Sequence, residues 1–229
     1  MRPGGRFLLE NRATTLFAGD RFPRPVAHAP AAAHAAATGA SGTPAGWANL
    51  SAEIAACTRC ELHRTRRQVV IYRGAPRPRV LFVGEAPGAA EDLAGRPFVG
   101  RAGRRLDEAA RSIGLADDAW GVLNLVKCRP PGNRFLPSAA EACRPFLLRQ
   151  LDLLRPSVVV TLGRHALGAL DPTAPPVTEA AGILRSWNGR PLFPLLHPAA
   201  PLHAPRLRER WARDLVALGS FLAPSAPSH

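Results

Sequence analysis

Lysine is almost missing from this chain: Lys127 is the only one in 229 residues, so nearly all of the 30 basic side chains are arginine. Acids are scarce too, 17 in total, which leaves a formal net charge of +13 and an isoelectric point near 11.4. A genomic composition bias explains arginine over lysine and the abundant alanine, but not the shortage of acids. An excess of this size marks a partner that carries phosphates. No run of 18 apolar residues occurs, which excludes an apolar membrane-spanning helix. The opening residues carry charges throughout and lack a continuous apolar core, so they fail as a secretory signal, and a cytoplasmic location is the expectation. Neither G-x-G-x-x-G nor a Walker pattern is present, which argues against a nucleotide-binding redox module.

Only four cysteines occur, Cys57 and Cys60 as C-x2-C, then Cys128 and Cys143 as C-x14-C. Disulfides do not suit a cytoplasmic chain of this size. Four thiolates suit either a zinc ion or a 4Fe-4S cluster, and spacing alone does not choose between them. The bland reading is four unrelated buried thiols.

Residues 24–46 are dominated by alanine, proline, glycine and threonine without apolar periodicity, and residues 1–46 read as an Ala/Pro-rich disordered leader. Residues 223–229 read as a similar tail, leaving 47–222 as one globular domain. Leu50, Ile54 and Cys57 mark one face of a helix expected over 47–60. Residues 80–83, 121–126 and 157–162 read as strands, with a weaker strand pattern at 191–195. Further helices are expected over 102–113, from a Ser138/Glu141 capping box through Leu154, from Gly163 to near Leu170, and over 206–221. Strands alternating with helices predict an α/β fold with a parallel sheet between helical layers.

The apolar run at 80–83 breaks into Gly84, Glu85, Pro87 and Gly88, so a buried strand ends in a loop bearing a carboxylate and, further on, the ring of Phe98. Ligands bind where such strands end. Asn124, at the end of the next strand, offers a donor and an acceptor in fixed orientation. Singly, these have ordinary explanations: a tight turn, a core phenylalanine, an asparagine cap. Jointly they do not. The segments GEAPGAAEDLAGRPFVGRAG (from Gly84), NLVKCRPPGNR (from Asn124) and LLHPAA (from Leu195) closely resemble three motifs of the iron–sulfur, or family 4, uracil-DNA glycosylases. The resemblance spans roughly residues 50–220.

That resemblance implies a three-layer α/β/α sandwich around a central, mostly parallel four-stranded sheet. It implies a DNA-repair hydrolase that cuts the N-glycosidic bond of uracil in DNA and leaves an abasic site, with the nucleotide flipped into a pocket. The chain would act as a monomer on single- or double-stranded uracil-containing DNA, away from membranes. Gly84, Glu85, Ala86, Phe98, Asn124 and His197 would bind uracil, and Glu85, Asn124 and His197 would carry catalysis. Phe98 would stack on the base, Asn124 would read its N3–H and O4 edge, and His197 would donate to O2 as negative charge develops there. Glu85 would stabilise positive charge on the sugar or orient water. Cys57, Cys60, Cys128 and Cys143 would hold a 4Fe-4S cluster of architectural role. Arg101, Arg104, Arg129, Arg134 and Arg206 would grip DNA phosphates. Glu91 and Asp92 also match the first motif and read as loop anchors or helix caps. The family usually has serine where Ala199 stands, and its absence removes a hydroxyl suited to a phosphate contact or a helix cap. The other six histidines match no motif; His63, His165 and His203 read as surface residues, while His28, His34 and His229 fall in the leader and tail.

Two other readings share these residues. A sister class excises other deaminated bases such as hypoxanthine or xanthine; its family 5 members lack an acid where Glu85 stands, and the variant that traps abasic DNA covalently has a basic, histidine-bearing insert that this chain lacks. A non-catalytic, metal-stapled nucleic-acid-binding protein is the other, with Ala199 its only hint.

Overall fold

The computed structural model describes residues 44–223. The expected leader and tail lie outside that range, except that residues 44–46 already belong to the first helix and Ala223 caps the last one.

The sheet is built from short strands that are apolar on both faces, as strands covered on both sides must be. β2 (Val80–Gly84), β3 (Trp120–Asn124) and β4 (Val158–Leu162) are buried along their whole length. With β6 (Arg190–Leu195) they form the parallel core, in the order β3-β2-β4-β6. The expected four-stranded core is therefore present, but the sheet has six strands. Antiparallel edges are added by β1 (Arg73–Gly74), beside β3, and β5 (Arg185–Trp187), beside β6.

Helices cover both faces. On one side α3 (Arg101–Ser112) presents Leu106, Ala109 and Ala110, and α8 (Arg208–Leu222) presents Trp211, Leu215 and Leu218, to Phe82, Val122, Val160 and Phe193. On the other side α4 (Pro137–Leu154) and α5 (Arg164–Leu170) bury Leu147, Leu151, Ala166 and Leu167 among Leu81, Val83, Leu123 and Val159. α1 (Pro44–Ala55) sets Leu50 and Ile54 against Phe146 of α4. Three short helices complete the chain: α2 (Ala89–Ala94), α6 (Val177–Ala180) and α7 (Ala200–His203). Among the described residues no helix is long and apolar enough to cross a membrane.

Several element ends differ from expectation. α1 stops at Ala55, so Cys57 and Cys60 lie in the turns beyond it. α4 has no Ser138/Glu141 capping box: Pro137 takes the first turn, where its fixed φ favours helix and its missing N–H costs nothing, and Leu136 stands at the cap without a side-chain bond. β3 ends at Asn124, two residues early, and α8 begins at Arg208 after a separate 3-10 turn at Pro205–Leu207.

Candidate active site and cysteine cavity

Parallel strands point their carboxyl ends the same way, so the residues that follow β2, β3 and β6 gather at one end of the sheet. A cleft of about 380 Å³ opens there, lined by Glu85, Ala86, Phe98, Asn124 and His197 together with Glu91, Asn133 and His203. Five of the six residues expected to bind uracil thus share one cavity. Gly84 is not in its lining. It pairs with Asn124 across β2 and β3, and its carbonyl accepts the Leu125 N–H at 2.9 Å. Its contribution is the side chain it lacks, since a Cβ there would lie 2.5 Å from both Asn124 Oδ1 and Phe98 Cζ.

Asn124 is 1% exposed, yet its Oδ1 has no hydrogen-bond partner among the described residues. An orphaned buried acceptor is costly, and one that lines a cleft is satisfied by whatever enters it. The asparagine is held from behind by the buried Lys127, whose Nζ donates to the Asn124 carbonyl.

Phe98 reaches the cleft from a left-handed backbone, φ 55°, which an aromatic residue adopts only under constraint. Glu91 supplies the constraint: Oε1 accepts the N–H groups of Val99 (3.0 Å) and Gly100 (2.8 Å), while Oε2 accepts that of Gly88 (3.1 Å). Asp92 accepts the Arg67 N–H at 2.9 Å, so both acids anchor the loop. A Cβ at Gly103 would sit 1.8 Å from the Phe98 carbonyl oxygen, so only glycine lets α3 pass this close.

His197 faces Phe98 across the cleft, with ring centroids 5.9 Å apart. The Ala199 N–H donates to its Nδ1 at 3.2 Å, which places the ring proton on Nε2. Burial pushes the imidazole below its ordinary pKa, although the carboxylates of Glu85 and Glu91 pull the other way. A neutral ring with Nε2–H free to donate results. Ala199 also stands at the cap of α7 without a side-chain bond, where a serine hydroxyl would serve.

Glu85 Oε2 is 2.6 Å from Nδ1 of His165, and His165 stacks on Phe135. Sequence reasoning missed His165 and His203 because neither sits in a recognised motif. The arginines expected to hold DNA lie outside the cleft lining. Arg101 and Arg104 are exposed on α3, Arg206 is exposed before α8, and Arg129 donates to Asn133 Oδ1 at 2.9 Å. Arg134 lines a neighbouring groove of about 580 Å³ with Arg64 and Phe135.

The four cysteines line a second cavity with Arg66, Lys127 and Phe146, and all four are free of disulfides. Burial raises the Cys128 and Cys143 thiols, an effect that Arg66 opposes at Cys128 and Lys127 at Cys143. Burial likewise pushes the Lys127 ammonium down to about 7, against the pull of Cys143 and Cys128. Among the described residues, no group of three or more His, Cys, Asp or Glu is arranged to hold a single metal ion. Four thiols lining one cavity are the donor set that either a zinc ion or a 4Fe-4S cluster takes.

An α/β sandwich with a base-sized cleft at its strand ends is the frame of the uracil DNA glycosylase superfamily, whose family model matches residues 71–217. The chain is 38% identical to the type-4 uracil-DNA glycosylase of Archaeoglobus fulgidus over 185 residues, covering 77% of this chain and 93% of that one. It is 40% identical to the type-4 enzyme of Sulfurisphaera tokodaii (72% and 80% covered) and 39% identical to that of Thermotoga maritima (76% and 93%). The chain belongs to the type-4 uracil-DNA glycosylases.

Proposed function

We propose that the cleft takes a uracil everted from DNA, with Phe98 against its face, Asn124 on its N3–H and O4 edge, and His197 at O2. The activity is the family's: hydrolysis of the N-glycosidic bond of uracil in DNA, as a step of DNA repair. The observation that carries the assignment of roles is the unpartnered Oδ1 of Asn124, buried in the wall of the same cleft as Phe98 and His197. Uracil N3–H satisfies that oxygen, and O4 accepts from the amide NH2. Cytosine offers an acceptor and a donor in the opposite places, leaving both buried groups unpaired, a mismatch worth about 10⁴-fold or more in discrimination.

As the C1′–N1 bond breaks, its electron pair leaves with the base and negative charge gathers on O2. The His197 Nε2–H stabilises that anion without having to give up a proton. Positive charge grows on the sugar, and the Glu85 carboxylate stabilises it and offers an acceptor to the water whose oxygen adds to C1′. Phosphates flanking the everted nucleotide are held by Arg101, Arg104, Arg129, Arg134 and Arg206. Cys57, Cys60, Cys128 and Cys143 would hold a 4Fe-4S cluster, and through these ligands the segment after α1, the exit of β3 and α4 would be tied together. When bound it supplies a covalent staple rather than a chemical step.

Incubation with a uracil-containing oligonucleotide followed by alkali tests the activity. Strand cleavage at uracil by the wild type, lost in His197→Ala/Asn124→Asp, is expected; equal cleavage by both proteins would refute the roles of these two residues. Parallel oligonucleotides carrying hypoxanthine or xanthine, expected to stay intact, define the range of bases accepted.

A further inference from the structure

Four adjacent parallel strands point their carboxyl ends the same way, and three of them deliver a working group to the cleft: Asn124 from β3, Glu85 from β2 and His197 from β6. β4 runs between β2 and β6. Its chain turns at Gly163, φ 89°, and enters α5, whose second residue is His165. A Cβ at Gly163 would lie 3.2 Å from the Cβ of His197, so this turn passes close behind the other histidine.

His165 Nδ1 lies 2.6 Å from Glu85 Oε2, and the Arg164 Nε–H donates to His165 Nε2 at 3.0 Å. A neutral imidazole has one donor and one acceptor nitrogen. Since Nε2 accepts from a guanidinium, the proton sits on Nδ1 and is donated to Glu85. Phe135 stacks on the ring, with centroids 3.6 Å apart and planes 15° from parallel. Stacking fixes the ring plane, and two hydrogen bonds at opposite nitrogens fix its rotation. The side chain of Glu85 is 32% exposed and would otherwise sample several rotamers; that of His165 is 20% exposed. A surface ion pair has no need of a stacked ring or of a second donor that sets the tautomer.

The geometry points to His165 as the positioning residue of Glu85, the contribution of the fourth strand to the site. It engages Oε2 and leaves Oε1 without a protein partner among the described residues, held in one orientation for the reacting sugar or water. This rests on the assignment of Glu85 to the chemistry of the cleft.

Single-turnover and steady-state excision from a uracil oligonucleotide test it with His165→Ala, His165→Asn, Glu85→Gln and the Glu85→Gln/His165→Ala double variant. Removing a hydrogen bond to a charged group is expected to lower kcat about 10- to 100-fold in His165→Ala with KM unchanged. His165→Asn, whose amide N–H takes the place of Nδ1–H, is expected to recover most of that loss. In the Glu85→Gln background His165→Ala is expected to cost nothing further, because both changes act through one group. A wild-type kcat in His165→Ala, equal rates in the two His165 variants, or losses that multiply in the double variant would overturn the inference. If His165→Ala does not fold, a folded His165→Asn that is as slow as Glu85→Gln overturns it equally. A slow Glu85→Gln beside a fast His165→Ala removes the role of His165 alone, whereas a fast Glu85→Gln removes the role of Glu85 and this one with it.

Discussion

Adding one methyl group at Gly84 tests the geometry of the cleft more sharply than deleting any side chain that lines it. In Gly84→Ala the new Cβ would fall 2.5 Å from Asn124 Oδ1, 2.5 Å from Phe98 Cζ and 2.7 Å from Phe98 Cε2. Ordinary contact begins near 3.4 Å, so the amide and the ring must each retreat by about 0.9 Å. Neither retreat is easy. Asn124 is held by strand pairing and by Lys127, and Phe98 is on a left-handed backbone pinned by Glu91. A misplacement of about 1 Å costs on the order of 10²-fold in rate, and overpacking costs about 1–3 kcal/mol of stability. The assay is single-turnover excision of uracil beside a thermal melt. The expected result is a melting temperature lowered by several degrees and a rate down about 10²-fold, although no uracil-binding side chain has been changed. A folded Gly84→Ala that excises uracil within about threefold of wild type would refute the claim that Asn124 and Phe98 must hold these positions to work.

His197→Phe keeps the ring and removes its donor, so excision should fall about 10²- to 10³-fold with little change in DNA binding, read by single-turnover kinetics and fluorescence anisotropy. The same histidine should shape acid stability. Its pKa is lower in the folded protein than the ordinary 6.5, chiefly through burial, so below that pH the unfolded chain binds the extra proton. Stability is therefore full above about 6.5 and declines as pH falls toward the folded value, and melting temperatures recorded across that window should fall less steeply in His197→Phe. Cys143→Ser should lower the iron content of purified protein and its melting temperature together, measured by metal analysis and calorimetry; colourless wild-type protein carrying zinc would contradict the cluster. DNA affinity should drop steeply with salt, and Arg101→Ala/Arg104→Ala should flatten the log–log slope by up to about two units if both arginines release counterions.

The parallel core was legible because its strands are covered on both faces and so appear as unbroken apolar runs. The edges were not, since β1 and β5 are two and three residues long and only half covered. One edge did carry a signal: Asn188 and Gly189 both have positive φ, 48° and 75°, and turn β5 back onto β6, a pair typical of two-residue hairpins. The start of α4 went astray because Ser138 and Glu141 satisfy a capping pattern that the preceding proline pre-empts. In the site, Glu85, Asn124 and His197 came together because each stands at or just past a strand end, while Phe98 enters from the loop between α2 and α3. His165 could not be found that way, since its partner Glu85 is 80 positions distant and only the crossover between β2 and β4 unites them.

The atom that orients His197 belongs to the peptide of residue 199, not to its side chain. A hydroxyl can come and go at that position without releasing the imidazole, which explains how a type-4 enzyme tolerates alanine there. Proline is the exception, having no amide hydrogen to give. Substituting it would free the ring to swap its proton between nitrogens and would blunt catalysis without touching a group that meets the base.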